Sequence, residues 1–340
     1  MTLKLLLKRG ALLAAANWQT IAIQFAAETT LQVLLAVPIV GAAILAAALV
    51  GGDLAELLRG SLREMFTTIA GTLMSEPVAL IAFMIAFSIV LLGGSVLMFL
   101  VKGGTVEVLL AAESAAGPIE LEPLTYETTI RPASRFTLDR FMDGCRRLFR
   151  RYLVLGIALM VVYGASGVAY LAFVVYGYRA AGGRFFIIGW TFVAALAAGV
   201  LVTWITVVNW VYLLVQIVMA ADEVGVAAAA MTAARFVRAE FRELAGIFGV
   251  IFVLVLAATL ASALAWSGVG LVAFVPLVGL AVFPLQLAAL LLRGLVFEYI
   301  GLTALAAYAS LYHRYVAQMG GAADRTGARA NAGGLLNKPA

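Results

Sequence analysis

The sequence predicts an all-α fold: a polytopic transmembrane helical bundle of six crossings, N- and C-termini cytoplasmic, with amphipathic elbow helices at the inner surface. Three observations carry this. The 340 residues are 64% hydrophobic and 12% charged, with mean hydropathy +1.06, where soluble domains show about 45–50% apolar and about 25% charged residues. Charge-free runs cover 29–52, 77–101, 152–178, 185–221 and 244–292. The basic residues also gather on one side of alternate crossings. This composition excludes a soluble enzyme fold, a disulfide-stapled secreted domain and, despite a pI of 9.4, a nucleic-acid partner.

A helical crossing takes roughly 20 apolar residues at about 1.5 Å each. The first three runs fit one helix apiece, the fourth fits one tilted or extended helix, and the fifth holds two. The crossings fall at about 30–50, 78–101, 153–177, 190–219, 245–266 and 286–312. Gly268, Gly270, Pro276 and Pro284 interrupt the last pair, so 267–283 reads as a hydrophobic connection on the membrane surface. Two rivals remain open. In one, the sixth helix ends near Leu292 and 294–313 lies along the inner surface; in the other, 294–313 is a seventh crossing.

Lysine and arginine in short flanks resist translocation. With six crossings and an inner N-terminus, the outer segments hold only Arg59, Arg63, Arg179 and Arg184 of the 23 basic residues, and Arg293 lies within a crossing. This orientation predicts a multi-pass protein of a bacterial cytoplasmic (inner) membrane. The basic opening MTLKLLLKRG is followed by an apolar piece too short for a signal peptide and stays in the mature chain. Residues 1–316 form one transmembrane domain with an inner-side insertion at 103–151, and the Gly-, Ala- and Asn-rich tail 317–340 is expected to be disordered.

Ahead of each odd-numbered crossing stands a basic amphipathic stretch: 3–25, 136–156 (FTLDRFMDGCRRLFRRYLVLG) and 229–249 (AAMTAARFVRAEFRELAGIFG). Such elbows bury aromatic rings at the acyl boundary while arginines meet anionic head groups, at about 1 kcal/mol per basic residue. Arg146, Arg147, Arg150, Arg151, Arg235, Arg238 and Arg242 are therefore candidate contacts to anionic lipid on the cytoplasmic face. The similar openings KGGTVEVLLAAES and ADEVGVAAAAMTA suggest three elbow-plus-hairpin units. Between Ser114 and Ser134 the proline-rich, acidic GPIELEPLTYETTIRPAS has a β-leaning core and reads as an extended or hairpin-like flap. Its acids either balance nearby arginines or dock a protein partner.

The order of elbow, membrane pair, Gly-plus-acidic junction and final SLYHRY helix, with ADEVGVAAAAMTAARFVRAEF, resembles a loose set of prokaryotic six-helix membrane domains. These include the membrane domain attached to some glycerophosphodiester phosphodiesterases. The resemblance covers most of 102–315 and implies a helical bundle with cytoplasmic termini. It brings no catalytic residues, because the phosphodiesterase chemistry belongs to a separate soluble domain.

With one histidine and one cysteine, a zinc site or catalytic triad built on those residues is excluded by counting. No GxxxxGK[ST] occurs, and no cofactor or metal is expected. His313 and Cys145 read as ordinary structural side chains. Charges inside the membrane are the remaining signal, since each costs a few kcal/mol. Glu298 falls near the predicted midplane and Arg293 about a turn and a half nearer the outside, on a different helical face. Asn209, Gln216 and Gln286 are their candidate polar partners from the sequence. Gln24, Glu28 and Gln32 make a polar stripe where the first crossing begins. The expected function is a non-enzymatic membrane scaffold or accessory subunit. A transporter with a polar site near Glu298 is the alternative, and a membrane-embedded lipid enzyme is the least supported.

Overall fold

The computed structural model describes residues 2–50, 71–72, 74–123, 125–180, 184–273 and 278–335. Its helices are α1 (Leu3–Ala16), α2 (Trp18–Val50), α3 (Pro77–Ala115), α4 (Leu138–Ala180), α5 (Arg184–Ala221), α6 (Val226–Ala239), α7 (Phe241–Ala273) and α8 (Val278–Leu335). Six stretches are long and apolar enough to cross a membrane: Trp18–Leu45, Pro77–Ala115, Tyr126–Ala180, Ile188–Ala221, Phe241–Ala265 and Pro284–Met319. The chain is thus a multi-pass integral membrane protein, helical throughout its described regular structure.

Two compact units divide the chain, one formed by Ala22–Lys102 and the other by the residues on either side. In the first, Ala42 and Ala79 are buried together against Leu80 and Phe83. Gln32 donates to Glu28 one turn earlier, at 3.4 Å. Pro38 sits inside α2, which runs on through it.

In the second unit the core is concentrated at one end of the bundle. There α8 is buried on every side from 302 to 312. Its sequence explains this: LTALAAYASLY is apolar all round, and its small residues let neighbours approach closely. α1 is the closest neighbour. A Cβ on Gly10 would lie 2.5 Å from the Thr303 carbonyl oxygen and 2.9 Å from the Ala307 nitrogen, so only glycine lets these backbones touch. Tyr299 adds a hydrogen bond from its hydroxyl to the Ala11 carbonyl at 3.2 Å.

The end of α3 meets the start of α4 in the same way. A Cβ on Gly104 would stand 2.7 Å from the Phe141 carbonyl oxygen, and one on Gly144 would stand 3.0 Å from that of Gly103. Around the far end of α8, Tyr312 donates to Asp222 at 2.6 Å. Arg314 reaches Glu243 at 2.7 Å and Glu240 at 3.2 Å. Phe236 of α6 lies edge-on to Tyr312, with ring centres 5.2 Å apart. The last helix is therefore a post on which α1, α3, α5, α6 and α7 are all fastened.

Two expectations are corrected by this arrangement. The elbows do not spend their apolar faces on lipid, because Leu6 and Leu13 of α1, Phe141 and Leu148 of α4, and Ala229, Ala233 and Phe236 of α6 are buried inside the protein. The TYETTI segment is a π-helical turn, Tyr126–Ile130, leading into the helical turn Arg131–Ala133. Local bonds outweigh its β propensity: the Thr129 hydroxyl donates to the Pro123 carbonyl at 2.8 Å, and Thr125 caps the turn through Thr128. Around the connection placed at 267–283, α7 reaches Ala273 and α8 starts at Val278 and passes through Pro284; 274–277 lies outside the described residues. Membrane helices tolerate such a proline because neighbouring groups satisfy the freed carbonyl. α8 itself continues to Leu335.

Candidate functional site

Among the described residues, the densest polar cluster is buried where α1, the end of α3 and α8 meet. α1 presents Arg9 one residue before the contact glycine, so its side chain leaves the helix beside α8 and turns to α3. The Nε of Arg9 donates to both carboxylate oxygens of Glu113, at 3.0 and 2.8 Å. Its Nη1 donates to Glu120 Oε2 at 2.7 Å and to the Gly117 carbonyl, and its Nη2 to the Glu113 carbonyl at 3.1 Å. Gly117 can offer that carbonyl because it turns the chain with φ +59°, a conformation other residues rarely adopt.

From α8, the Ser310 hydroxyl is within 2.7 Å of Glu113 Oε2 and 3.0 Å of the Ala306 carbonyl, two acceptors for its one proton. Lys8 covers the edge, donating to the Glu120 carbonyl at 2.7 Å. Arg9, Glu113 and Glu120 are each more than nine-tenths buried. Burial alone would pull the Arg9 guanidinium down, but its hydrogen bonds to Glu113 and Glu120 and their charges outweigh this and raise it above its ordinary value. Arg9 is a permanent cation shared by two carboxylates.

A second buried group pins the segment after α3. Asn17, at the break between α1 and α2, donates to the carbonyls of Leu13 and Ala133, both at 2.9 Å. Its Oδ1 accepts from the backbone nitrogens of Arg135 and Phe136 at 2.9 and 3.0 Å. All four hydrogen-bonding positions of the amide are used. The 117–137 segment is thereby clamped onto α1 from both ends.

The residues singled out from sequence are dispersed. Glu298 is buried on α8, one turn before the wholly buried stretch. Arg293 is exposed, with its guanidinium carbon 5.6 Å from the centre of the Phe297 ring. Gln286 and Arg293 line one groove of about 430 Å³ between α7 and α8. Asn209 belongs elsewhere: it accepts from the Tyr163 hydroxyl at 2.5 Å, within the α4–α5 hairpin. Trp204 to Ser166 at 3.0 Å and Trp190 to the Val174 carbonyl at 3.2 Å extend that zip. Gln216 is buried, and its backbone carbonyl accepts from the Tyr152 hydroxyl at 2.9 Å.

Of the candidate lipid-contact arginines, Arg146, Arg150, Arg235, Arg238 and Arg242 are exposed and Arg151 is half-buried. Arg147 instead ties α3 to the α5–α6 junction by bridging Glu107 and Glu223. Glu223, with φ +54°, adopts the left-handed conformation uncommon for a side chain of its kind.

Sequence reading missed the knot and the Asn17 clamp. Arg9 and Glu120 were read only as surface charges, and Ser310 lay inside an apolar run. The available signal was Asn17 itself, a strong hydrogen-bonding group interrupting ALLAAANWQT. Among the described residues, no group of three or more His, Cys, Asp or Glu is placed to hold a metal ion. No protein-family model, curated protein or solved structure matches the chain.

Proposed function

We propose that this protein is a non-enzymatic scaffold or accessory subunit of a bacterial cytoplasmic membrane, with both termini inside. The observation that carries the reading is the Arg9–Glu113–Glu120–Ser310 knot. Among the described residues the most elaborate polar cluster is spent on fastening three helices, and the one hydroxyl in it, that of Ser310, is buried against a carboxylate already held by arginine. Such a network is weak evidence for net stability, since apolar replacements are often as stable, and its retention supports a role in fixing which helices pair.

The knotted end carries α1, α6 and the 117–137 segment, and their basic residues support an inner-side placement. There Arg146, Arg150, Arg151, Arg235, Arg238 and Arg242 contact anionic head groups, and Arg147 holds the helices together. The clamped segment turns Leu121 and Tyr126 outward, both 69% exposed, and this is the surface that takes a protein partner within 114–134. The likeness to six-helix membrane domains belongs to the same proposal, since it implies the same topology.

Crosslinking in native membranes followed by purification tests the reading. A defined protein at fixed stoichiometry is expected, lost when Leu121 and Tyr126 are both changed to serine. Solute accumulation by the purified chain in proteoliposomes, abolished by Glu298→Gln, would replace the scaffold by a transporter. A reporter fused at Gly320 is expected to respond as cytoplasmic and one at Leu54 as external; an external Gly320 would defeat the six-crossing topology.

A further inference from the structure

The groove between α7 and α8 holds a charge that the fold does not use. Its walls are Ala258 and Ser262 on α7 and Gln286, Leu290, Arg293 and Phe297 on α8. Successive residues on α8 recur at spacings of three or four, so they occupy one helical face. The volume, about 430 Å³, falls within the roughly 300–1,000 Å³ of sites that hold small organic ligands. Arg293 lies inside a membrane-spanning stretch, and among the described residues no carboxylate pairs with it.

Two further features say what fits. An arginine near the end of a membrane helix ordinarily reaches for the nearer surface. Arg293 bends the other way, over Phe297 one turn further along, which keeps its charge in the groove. The groove opens among exposed leucines, including Leu260, Leu285 and Leu292, so its surroundings are hydrocarbon. A cation there is stabilised by an anion that arrives with its own hydrocarbon.

We propose that this groove binds an anionic phospholipid of the bilayer, its phosphodiester on the Arg293 guanidinium and an acyl chain along Leu290, Phe297 and Ala258. The guanidinium fork matches two phosphate oxygens, and the Ser262 hydroxyl and Gln286 amide supply neighbouring donors. A zwitterionic lipid fits less well, because its quaternary ammonium would be drawn into an apolar slot beside another cation. This site is separate from the arginines of the knotted end.

The test uses the full chain in phosphatidylcholine vesicles carrying a trace of phosphatidylglycerol with a diazirine on one acyl chain, or the matching phosphatidylcholine probe. After photolysis, labelled peptides are mapped. Phosphatidylglycerol is expected to label the peptides holding Ala258, Ser262, Arg293 and Phe297 about fivefold over phosphatidylcholine, the preference that one basic residue near an anionic lipid supplies. Arg293→Gln should reduce this to the phosphatidylcholine level, and Arg293→Lys should keep part of it. Ser262→Leu, which fills the groove from the opposite helix and leaves the charge in place, should abolish labelling there. Equal labelling by both probes, a preference that survives Arg293→Gln or Ser262→Leu, or labelling confined to the helices carrying Arg146, Arg150, Arg238 and Arg242 would overturn the proposal.

Discussion

The Nε of Arg9 lies 3.0 and 2.8 Å from the two carboxylate oxygens of Glu113, across 104 residues of chain. One guanidinium thereby joins the first helix to the end of the third, and Ser310 ties the same carboxylate to the last. Glu120 adds a second negative charge to the same cation, which makes Arg9 the residue on which the cluster depends.

Arg9→Met is expected to cost about 3–5 kcal/mol, because two buried carboxylates lose their counter-charge. Adding Glu113→Leu and Glu120→Leu should recover much of that loss by removing the stranded charges. Thermal melts of the detergent-purified variants read both. A triple variant less stable than Arg9→Met alone would show that charge compensation is not what the knot provides.

Asn17→Ala leaves the Ala133 carbonyl and the Arg135 and Phe136 nitrogens without their buried partner, at about 1–3 kcal/mol for each group that water cannot reach. The loss should appear locally first. Trypsin should cut after Arg135 faster in the variant, while cleavage elsewhere changes little.

Gly10→Val should separate α1 from α8, since even a Cβ would meet the Thr303 carbonyl at 2.5 Å. Gly249→Ala is the matched control in an open position, where no atom lies within 4 Å of the added carbon. Its effect should be neutral or slightly stabilising, as helical glycine costs about 0.5–1 kcal/mol relative to alanine. Cys145, 2% exposed, is a convenient reporter: maleimide should label it in Gly10→Val well below the temperature needed for the parent chain or Gly249→Ala.

Tyr163→Phe and Asn209→Ala should each destabilise the α4–α5 hairpin modestly. Their double-mutant cycle should give a coupling of about 0.6 kcal/mol, the usual worth of a hydrogen bond between membrane helices. A coupling of zero would mean that the pair does not hold the hairpin.

Helix number was readable because apolar length is a direct physical requirement for crossing a bilayer, and the long run before Asp222 did resolve into the single helix α5. The division between lipid-facing and protein-facing surface was not readable. An amphipathic stretch such as 136–149 looks the same whether its phenylalanines meet acyl chains or a pair of glycines, and only the partner helix decides. Glu298 and Arg293 stood out because their neighbours are apolar. The Arg9 knot did not, because Arg9 has Lys8 beside it and Glu120 has Glu122 nearby, so each resembled solvated charge. Its components are local in space but distant in sequence, and no periodicity connects them. The TYETTI turn shows the opposite failure, where two threonine hydroxyls reaching back to Pro123 overrode a strand-like composition.

The contact of Gly10 with Thr303 and Ala307 also constrains the order in which the protein can be finished. Its two halves leave the ribosome about 290 residues apart, roughly 15 to 60 seconds at about 5–20 residues per second. During that interval α1 has no post to rest on, and nothing supplies the Ser310 hydroxyl to Glu113. A chain cut short before α8 carries an apolar helix and a half-built ion cluster with no place to bury them. Synthesis of α8 is therefore the event that buries both and removes what a quality-control protease can recognise.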